Sequence, residues 1–347
     1  MAHRVYPTPR PDTDPPPTTI PPHVPCRYGS DPVIESVLVK FTSGEHEAWG
    51  EACTLGAPTY SPEHAAGIFS ALTEHFVELV VGEEFESSEE LHFALRWFKG
   101  NQFAKAALDT AWWGLRSVER GVPLHQLFAE ASGLPVADAT EIGFHPTEAF
   151  AVGADFGVRD SIEELLDLVG EAVEMGAPRI KLKCAKGWDT EMLTAIRQRF
   201  PPPIIFHIDC NGGYDLREDI EFLSSLDQYE LAMIEQPLNP TTGGNSRDLL
   251  DHAELAKMLK TPICLDESLN SLRAAETAVE LDSGKVFNIK PGRCGGATVA
   301  LQIMALAREH DIPCWIGGML ESAVGAEFCK ALASLDNCSY PGNPTPL

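Results

Sequence analysis

The apolar positions change period along the chain, and that change divides it. From Ile34 to Phe41 the segment IESVLVKF alternates like a strand, and HEAWGEA (46–52) reads as its hairpin partner. Three helical stretches follow. Ser61 is expected to cap one that runs to about Val81, and SSEELHFALRWF (87–98) is the second. The third, FAKAALDTAWWGLRSVERG (103–121), ends on Gly121 as its C-cap, and its tryptophans read as core packing rather than a site. Strands followed by helices predict an α+β domain over residues 31–137.

Beyond it, short apolar runs alternate with helical stretches. The runs are AVGADFG (151–157), RIKLKC (179–184), IIFHIDCN (204–211), LAMIEQP (231–237), PICLDES (262–268), VFNIKPG (286–292) and PCWIGGM (313–319). Between them lie amphipathic segments such as SIEELLDLVGEAVEMG (161–176) and ATVALQIMALAREH (297–310). A β-α repeat of roughly 25 residues, sustained about seven times, predicts a parallel barrel of the modified TIM type, (β/α)7β, over 138–342. CSYPG (338–342) is its candidate eighth strand. A doubly wound sheet is the competing architecture, but no glycine-rich phosphate loop follows any run. At the other end, residues 1–30 are so dense in proline (Pro7, Pro9, Pro11, Pro15, Pro16, Pro17, Pro21, Pro22, Pro25) that an extended or disordered lead-in is expected.

Charged residues punctuate the apolar runs in a regular way. The second run ends in Lys181 and Lys183, the third in Asp209 and Asn211, the fourth in Glu235, the fifth in Asp266 and Glu267 and the sixth in Lys290. Glu321 lies just after the seventh. At one position such a residue is simply a solvated loop start. Recurring in unit after unit, they converge on the C-terminal face of a barrel, where active sites are built. Three convergent carboxylates, Asp209, Glu235 and Asp266, repel one another unless a cation lies between them. Ligands that are all oxygen suit a hard divalent ion, Mg²⁺ first and Mn²⁺ as the alternative.

Strand order sets Lys183 before this acidic arc and Lys290 after it, which suits a substrate carboxylate held between two ammonium groups. A carbon acid beside a carboxylate ionises only if its enolate is stabilised, which a metal can do. A lysine becomes a useful base when a neighbouring cation, here the metal and Lys181, lowers its proton affinity. The alternation of KxK puts Lys181 and Lys183 on one side of their strand.

Bulk properties narrow the alternatives. A net charge of −25 argues against a nucleic-acid partner, which would need a basic surface. No apolar run is long enough to span a bilayer and the N-terminus lacks a signal-peptide core, so neither a membrane nor export is expected and the cytoplasm is the expected location. Nine cysteines without a CxxC pair speak against a disulfide framework or a zinc site.

These segments together resemble the enolase superfamily, in particular its muconate-lactonizing branch and, within it, the o-succinylbenzoate synthase and N-acylamino acid racemase group. RIKLKC (179–184), HIDCNGGYD (207–215), IEQPL (234–238), CLDES (264–268), NIKPGRCGG (288–296) and IGGMLESAVG (316–325) carry the likeness in the barrel, with GAPTYSPEH (56–64) and AKAALDTAWWGL (104–115) in a capping domain. The resemblance implies Lys183 as general base on one face of the substrate, Lys290 on the other, and Asp209, Glu235 and Asp266 around the metal. It implies supporting roles for Lys181, Asn211, Glu267, Glu321 and Arg293, the last resembling an arginine of members that racemise. Substrate contacts are expected from Tyr60, Gly317, Met319 and Ser322, and from cap loops near Cys26–Ser30 and Gly56–Tyr60.

The implied partner is a small-molecule carboxylate, and the implied assembly a homo-oligomer. Family members continue beyond the point where this chain ends, so a C-terminal cap segment after the tail 343–347 is expected to be missing. The favoured activity is dehydration to o-succinylbenzoate in menaquinone biosynthesis, with N-acylamino acid (N-succinylamino acid) racemisation the runner-up. Muconate cycloisomerisation and dipeptide epimerisation rank lower, since GGMLES lacks the DxD of the epimerases. Outside the superfamily stand a metal-free Schiff-base aldolase using Lys290, which leaves the acids without a task, and a catalytically dead binding protein.

Overall fold

The computed structural model describes residues 34–137 and 153–340. The proline-rich lead-in, Cys26–Ser30, residues 138–152 and everything after 340 lie outside the described residues. Two sheets organise the rest. The first is a hairpin of β1 (Glu35–Ser43) and β2 (His46–Thr54), joined by a tight turn in which Gly44 takes a φ of +60°. It lies on the long helix Gln102–Arg120, whose face of Ala104, Ala107, Leu108, Ala111 and Leu115 is buried. Contact is close because Gly50 has no side chain: a Cβ there would stand 2.0 Å from the Ala107 carbonyl oxygen. As expected, the helix ends where Gly121 turns left-handed, at a φ of +63°, and Trp112 and Trp113 pack in the core.

The helix expected from Ser61 is different. Ser61 spends its hydroxyl on a local turn, accepting from the Glu63 amide and donating to the Glu63 carbonyl, both at 3.2 Å. The helix starts later, at Ala65–Ala71, passes through a wide π-type turn at Leu72–Phe76 and finishes at Val77–Val80. Glu63 is needed elsewhere: its carboxylate accepts from Phe103 N at 3.1 Å and Ala104 N at 3.3 Å, at the start of the long helix. The second helix, Ser88–Leu95, is capped by Ser87.

The second sheet has seven parallel strands in chain order: β3 (Ala154–Phe156), β4 (Ile180–Lys183), β5 (Phe206–Asp209), β6 (Ile234–Glu235), β7 (Ile263–Leu265), β8 (Val286–Ile289) and β9 (Cys314–Ile316). Each is shorter than its apolar run, because the flanking residues form the connections. The sheet curls into an open barrel with helices on its outside. One set of alternate positions, including Ile180, Leu182, Phe206, Ile208, Phe287 and Ile289, belongs to the main apolar core. The other set includes Lys181, Lys183, His207, Asp209, Asn288 and Lys290, which meet one another as described below. Register levels the ends: Lys183 pairs with Asp209, and Asp209 with Glu235. A separate small cluster of Met233, Cys264, Val286, Trp315 and Tyr340 lies beside this polar set. The candidate eighth strand is reduced to one parallel bridge, Cys314 with Cys338, and residues 341–342 lie outside the described residues. All eight described cysteines are free and buried, and no helix among the described residues is long and apolar enough to cross a membrane.

The hairpin and its helix are fastened to the barrel by acids set at helix starts. Glu51, on β2, accepts from Ser322 N (3.0 Å), Ser322 Oγ (2.7 Å) and Gly325 N (2.8 Å) at the head of the helix Ala323–Ala333. Asp109, fully buried in the long helix, accepts from Thr298 N at 3.2 Å and from the Thr298 hydroxyl at the head of Ala297–Glu309. A carboxylate there satisfies unpaired amides and meets the positive end of the helix dipole. Asp109→Ala is therefore expected to lower the unfolding free energy by about 2 kcal/mol or more, because it leaves the Thr298 amide buried without an acceptor. Urea denaturation of variant and wild type measures the difference.

Candidate active site

At the ends of β4 to β8 the site grows from alternation. Lys181 and Lys183 point the same way from β4, and Asp209 stands between their ammonium groups, its Oδ2 2.7 Å from Lys181 Nζ and 2.6 Å from Lys183 Nζ. Lys181 also reaches Glu235, with Nζ 3.1 Å from Oε1 and 2.9 Å from Oε2, and lies 5.3 Å from the centre of the Trp315 ring. Burial alone would drive Lys181 to neutrality, but Asp209 and Glu235 outweigh it and hold its pKa well above the ordinary lysine value. The same pairing depresses both acids: burial opposes their charge, and Lys181 more than compensates.

Just beyond β8, Lys290 donates to Asp266 Oδ2 at 2.9 Å, and Arg293 clasps the other oxygen of the same carboxylate. Tyr60, reaching in from the cap, has its hydroxyl 3.3 Å from Lys290 Nζ and 3.0 Å from Arg293 Nη1. Burial disfavours the Lys290 ammonium, yet Asp266 and the Tyr60 hydroxyl raise its pKa above that of free lysine. Between the two lysine ends, Asn211 forms a bridge. Its Oδ1 accepts from Lys183 Nζ at 2.9 Å and its Nδ2 donates to Glu267 Oε1 at 3.1 Å. It takes a φ of +44°, in the left-handed region where asparagine is tolerated best after glycine. Glu267 is pushed up to about 7, by burial first and then by Asp266 and Asp209. A cavity of about 300 Å³ adjoins this end, walled by Tyr60, Glu267 and Arg293 together with Phe103, Asn270 and Ser271.

The cluster thus gathers Lys181, Lys183, Asp209, Asn211, Glu235, Asp266, Glu267, Lys290, Arg293 and Tyr60. The other four candidates have structural partners. Gly317 lies against the cluster because a Cβ there would stand 2.9 Å from Lys290 Cε and 2.3 Å from Asn288 Oδ1. Met319 is buried, its carbonyl accepting from Cys53 Sγ at 3.0 Å. Ser322 caps its helix and binds Glu51. Glu321 accepts from Met319 N at 2.8 Å, and burial, with help from Glu51, pushes it up to about 7.

Three inward residues escaped the sequence reading. His207 stands two positions before Asp209 and Asn288 two before Lys290, repeating the alternation of KxK, and both face Glu235. Gln236, at a φ of +37°, ties neighbouring strand ends together by accepting from Asp266 N at 3.0 Å and donating to Ser268 Oγ at 2.7 Å. Among the described residues, no three acidic, histidine or cysteine side chains converge closely enough, as they stand, to form a ready-made cation site. Asp209 and Glu235 turn onto the β4 lysines, and Asp266 onto Lys290 and Arg293.

A curled parallel sheet gathering lysines and carboxylates at its strand ends, under an α+β cap, defines a class, and sequence comparison agrees. Residues 16–129 match the mandelate racemase / muconate lactonizing enzyme N-terminal domain, and residues 164–344 the enolase C-terminal domain-like family. This chain belongs to the mandelate racemase / muconate lactonizing enzyme family of the enolase superfamily, and it is an enzyme. It is 36% identical over 316 residues to an N-succinylamino acid racemase of Amycolatopsis sp, spanning 91% of this chain and 80% of that protein. It is 39% identical over 311 residues to an o-succinylbenzoate synthase of Bacillus subtilis (strain 168), spanning 90% and 76%. A solved enolase-superfamily structure from Enterococcus faecalis V583 superposes with a TM-score of 0.79 at 34% identity, over 92% of this chain and 80% of that one.

Glu321 gives this site a pH signature. Its raised pKa means that the folded chain keeps a proton the unfolded chain sheds above about 4.5, so stability is lost as pH climbs from there through about 7. Glu321→Gln keeps an oxygen for the Met319 amide and removes this loss. The variant is expected to melt level with wild type at pH 5 and about 2–4 °C higher at pH 8, as read by thermal denaturation at the two pH values.

Proposed function

We propose that this enzyme removes a proton from the carbon beside a substrate carboxylate, with Mg²⁺ or Mn²⁺ held by Asp209, Glu235 and Asp266, and that its reaction is dehydration to o-succinylbenzoate. The observation that carries the reading is the order of groups around the sheet: Lys183 at one end, Lys290 at the other, and the three carboxylates on successive strands between them. The donor set fits a hard cation, being all oxygen and buried, and Glu235 Oε2 makes no hydrogen bond. When bound, the cation supplies electrostatic stabilisation of the enolate.

The chain's own residues do the rest. Lys183 is the most open of the clustered cations, its side chain 14% exposed against 4% for Lys181, and is the base. Asp209 and Asn211 Oδ1, both accepting from Lys183 Nζ, hold that side chain at its end of the arc, with Lys181 beside it on the same strand. As the base, Lys183 takes the α-proton, and in the dehydration it passes this proton to the departing hydroxyl, which leaves as water. Lys290 keeps its proton and faces the developing negative charge, its position fixed by Tyr60 and Asp266. The cap, through Tyr60, limits water at that end.

A second reading is racemisation of an N-acylamino acid. The second lysine at the far end of the arc favours it, since Lys290 can then return a proton to the opposite face. The relatives named o-succinylbenzoate synthase and N-succinylamino acid racemase support either reaction.

Hydrogen–deuterium exchange in D₂O, followed by NMR with Mg²⁺ present, separates the readings. The cyclohexadiene precursor of o-succinylbenzoate is expected to dehydrate and N-succinylamino acids to exchange slowly or not at all. Lys183→Ala is expected to lower the rate by about 10²–10⁴-fold, and a chelator to abolish it. Fast exchange of N-succinylamino acids with an inert cyclohexadiene would favour the racemase, and full activity in chelator would overturn the metal reading.

A further inference from the structure

Glu235 is the middle carboxylate of the arc, and its two oxygens are served unequally. Oε1 accepts from Asn288 Nδ2 at 2.7 Å and from Lys181 Nζ at 3.1 Å. Oε2 has Lys181 as its ion-pair partner at 2.9 Å but makes no hydrogen bond, and His207 Nε2 stands 3.4 Å from it. That ring nitrogen is buried and also makes no hydrogen bond. The other, Nδ1, lies 3.2 Å from the Tyr340 hydroxyl. The imidazole is fully buried between two aromatic rings, its centroid 5.9 Å from that of Trp315 and 5.7 Å from that of Tyr340.

We propose that Tyr340 and His207 form a relay that orients Glu235, making His207 a positioning residue for the central carboxylate of the site. Two ring tautomers exist. If the proton sits on Nδ1, the Nε2 lone pair faces a carboxylate oxygen, and two buried acceptors oppose each other. If it sits on Nε2, Tyr340 donates into Nδ1 and the Nε2–H group faces Glu235 Oε2 across 3.4 Å, a contact that a small turn of the ring or the carboxylate closes into a hydrogen bond. The carboxylate, which can only accept, selects the Nε2–H tautomer; the phenol follows by donating into Nδ1 and holds the ring in place, and the ring in turn holds the carboxylate. Residues behind a ligating carboxylate typically govern metal affinity by about 10–100-fold. The proposal rests on the reading above that Glu235 is a metal ligand.

Two measurements on the 347-residue chain test it. In metal-free protein labelled with [¹⁵N]histidine, the resonances lost in His207→Gln are expected to show the Nε2–H pattern; an Nδ1–H pattern would overturn the relay. Mn²⁺ titration, followed by electron paramagnetic resonance, is expected to show about tenfold weaker binding in His207→Leu. Binding should return to within about threefold of wild type in His207→Gln, whose amide can donate from the same place. Wild-type affinity in His207→Leu would overturn the relay, as would a His207→Gln variant as weak as His207→Leu, since ring volume rather than the donor would then matter. Should His207→Leu fail to fold, Tyr340→Phe removes the donor to Nδ1, and weaker Mn²⁺ binding than wild type is expected; wild-type affinity in that variant would refute the phenol's part. Wild type that binds no Mn²⁺ would instead sink the metal reading, and the tautomer pattern would still decide the relay.

Discussion

Everything in this structure depends on burying ionised groups in opposed pairs. Three acids (Asp209, Glu235 and Asp266) and four bases (Lys181, Lys183, Lys290 and Arg293) share one side of the curled sheet, nearly all of them hidden from water, while Glu267, pushed up to about 7 by burial, bonds to the Asn211 amide. An isolated charge at such depth costs several kcal/mol, and removing one member of a pair strands the other. This pairing is what lets the cluster fold, and the apolar positions on the strands' other side supply the driving force.

Register converts this balance into geometry. Lys183, Asp209 and Glu235 are level because their strands pair residue for residue, and a slip of one position would turn each onto the opposite side. Tyr60 then links the cap to Lys290 and Arg293. Lys183 at one end of the arc keeps a little exposure and meets Asp209 and Asn211, whereas Lys290 at the other end meets Tyr60 of the cap.

Much of this was legible in the sequence, because period and spacing are local. KxK, HIDCN, IEQP, CLDES and NIKPGR each set an ionisable residue at or just past the end of an apolar run, and alternation fixed its side. The same rule, applied one step back, would have found His207 and Asn288; a lone histidine or asparagine in an apolar run simply gave no reason to look. Ser61 misled because its local signal was sound, while the competing use of Glu63 lies some forty residues away at Phe103. The partners of Glu51 and Asp109 were beyond reach for the same reason. An acid that caps a distant helix leaves no spacing to read. The eighth strand failed differently, as a single bridge seldom has a pattern of its own.

Those distant caps bear on how such enzymes can be recombined. Glu51 and Asp109 belong to the hairpin and its helix, yet the amides they satisfy head two barrel helices. Each half therefore carries part of the other's folding information. A chimera joining this cap to a relative's barrel keeps these carboxylates only if the new barrel offers the matching amides, so the seam has to be exchanged as one unit even though its two sides lie far apart in the chain.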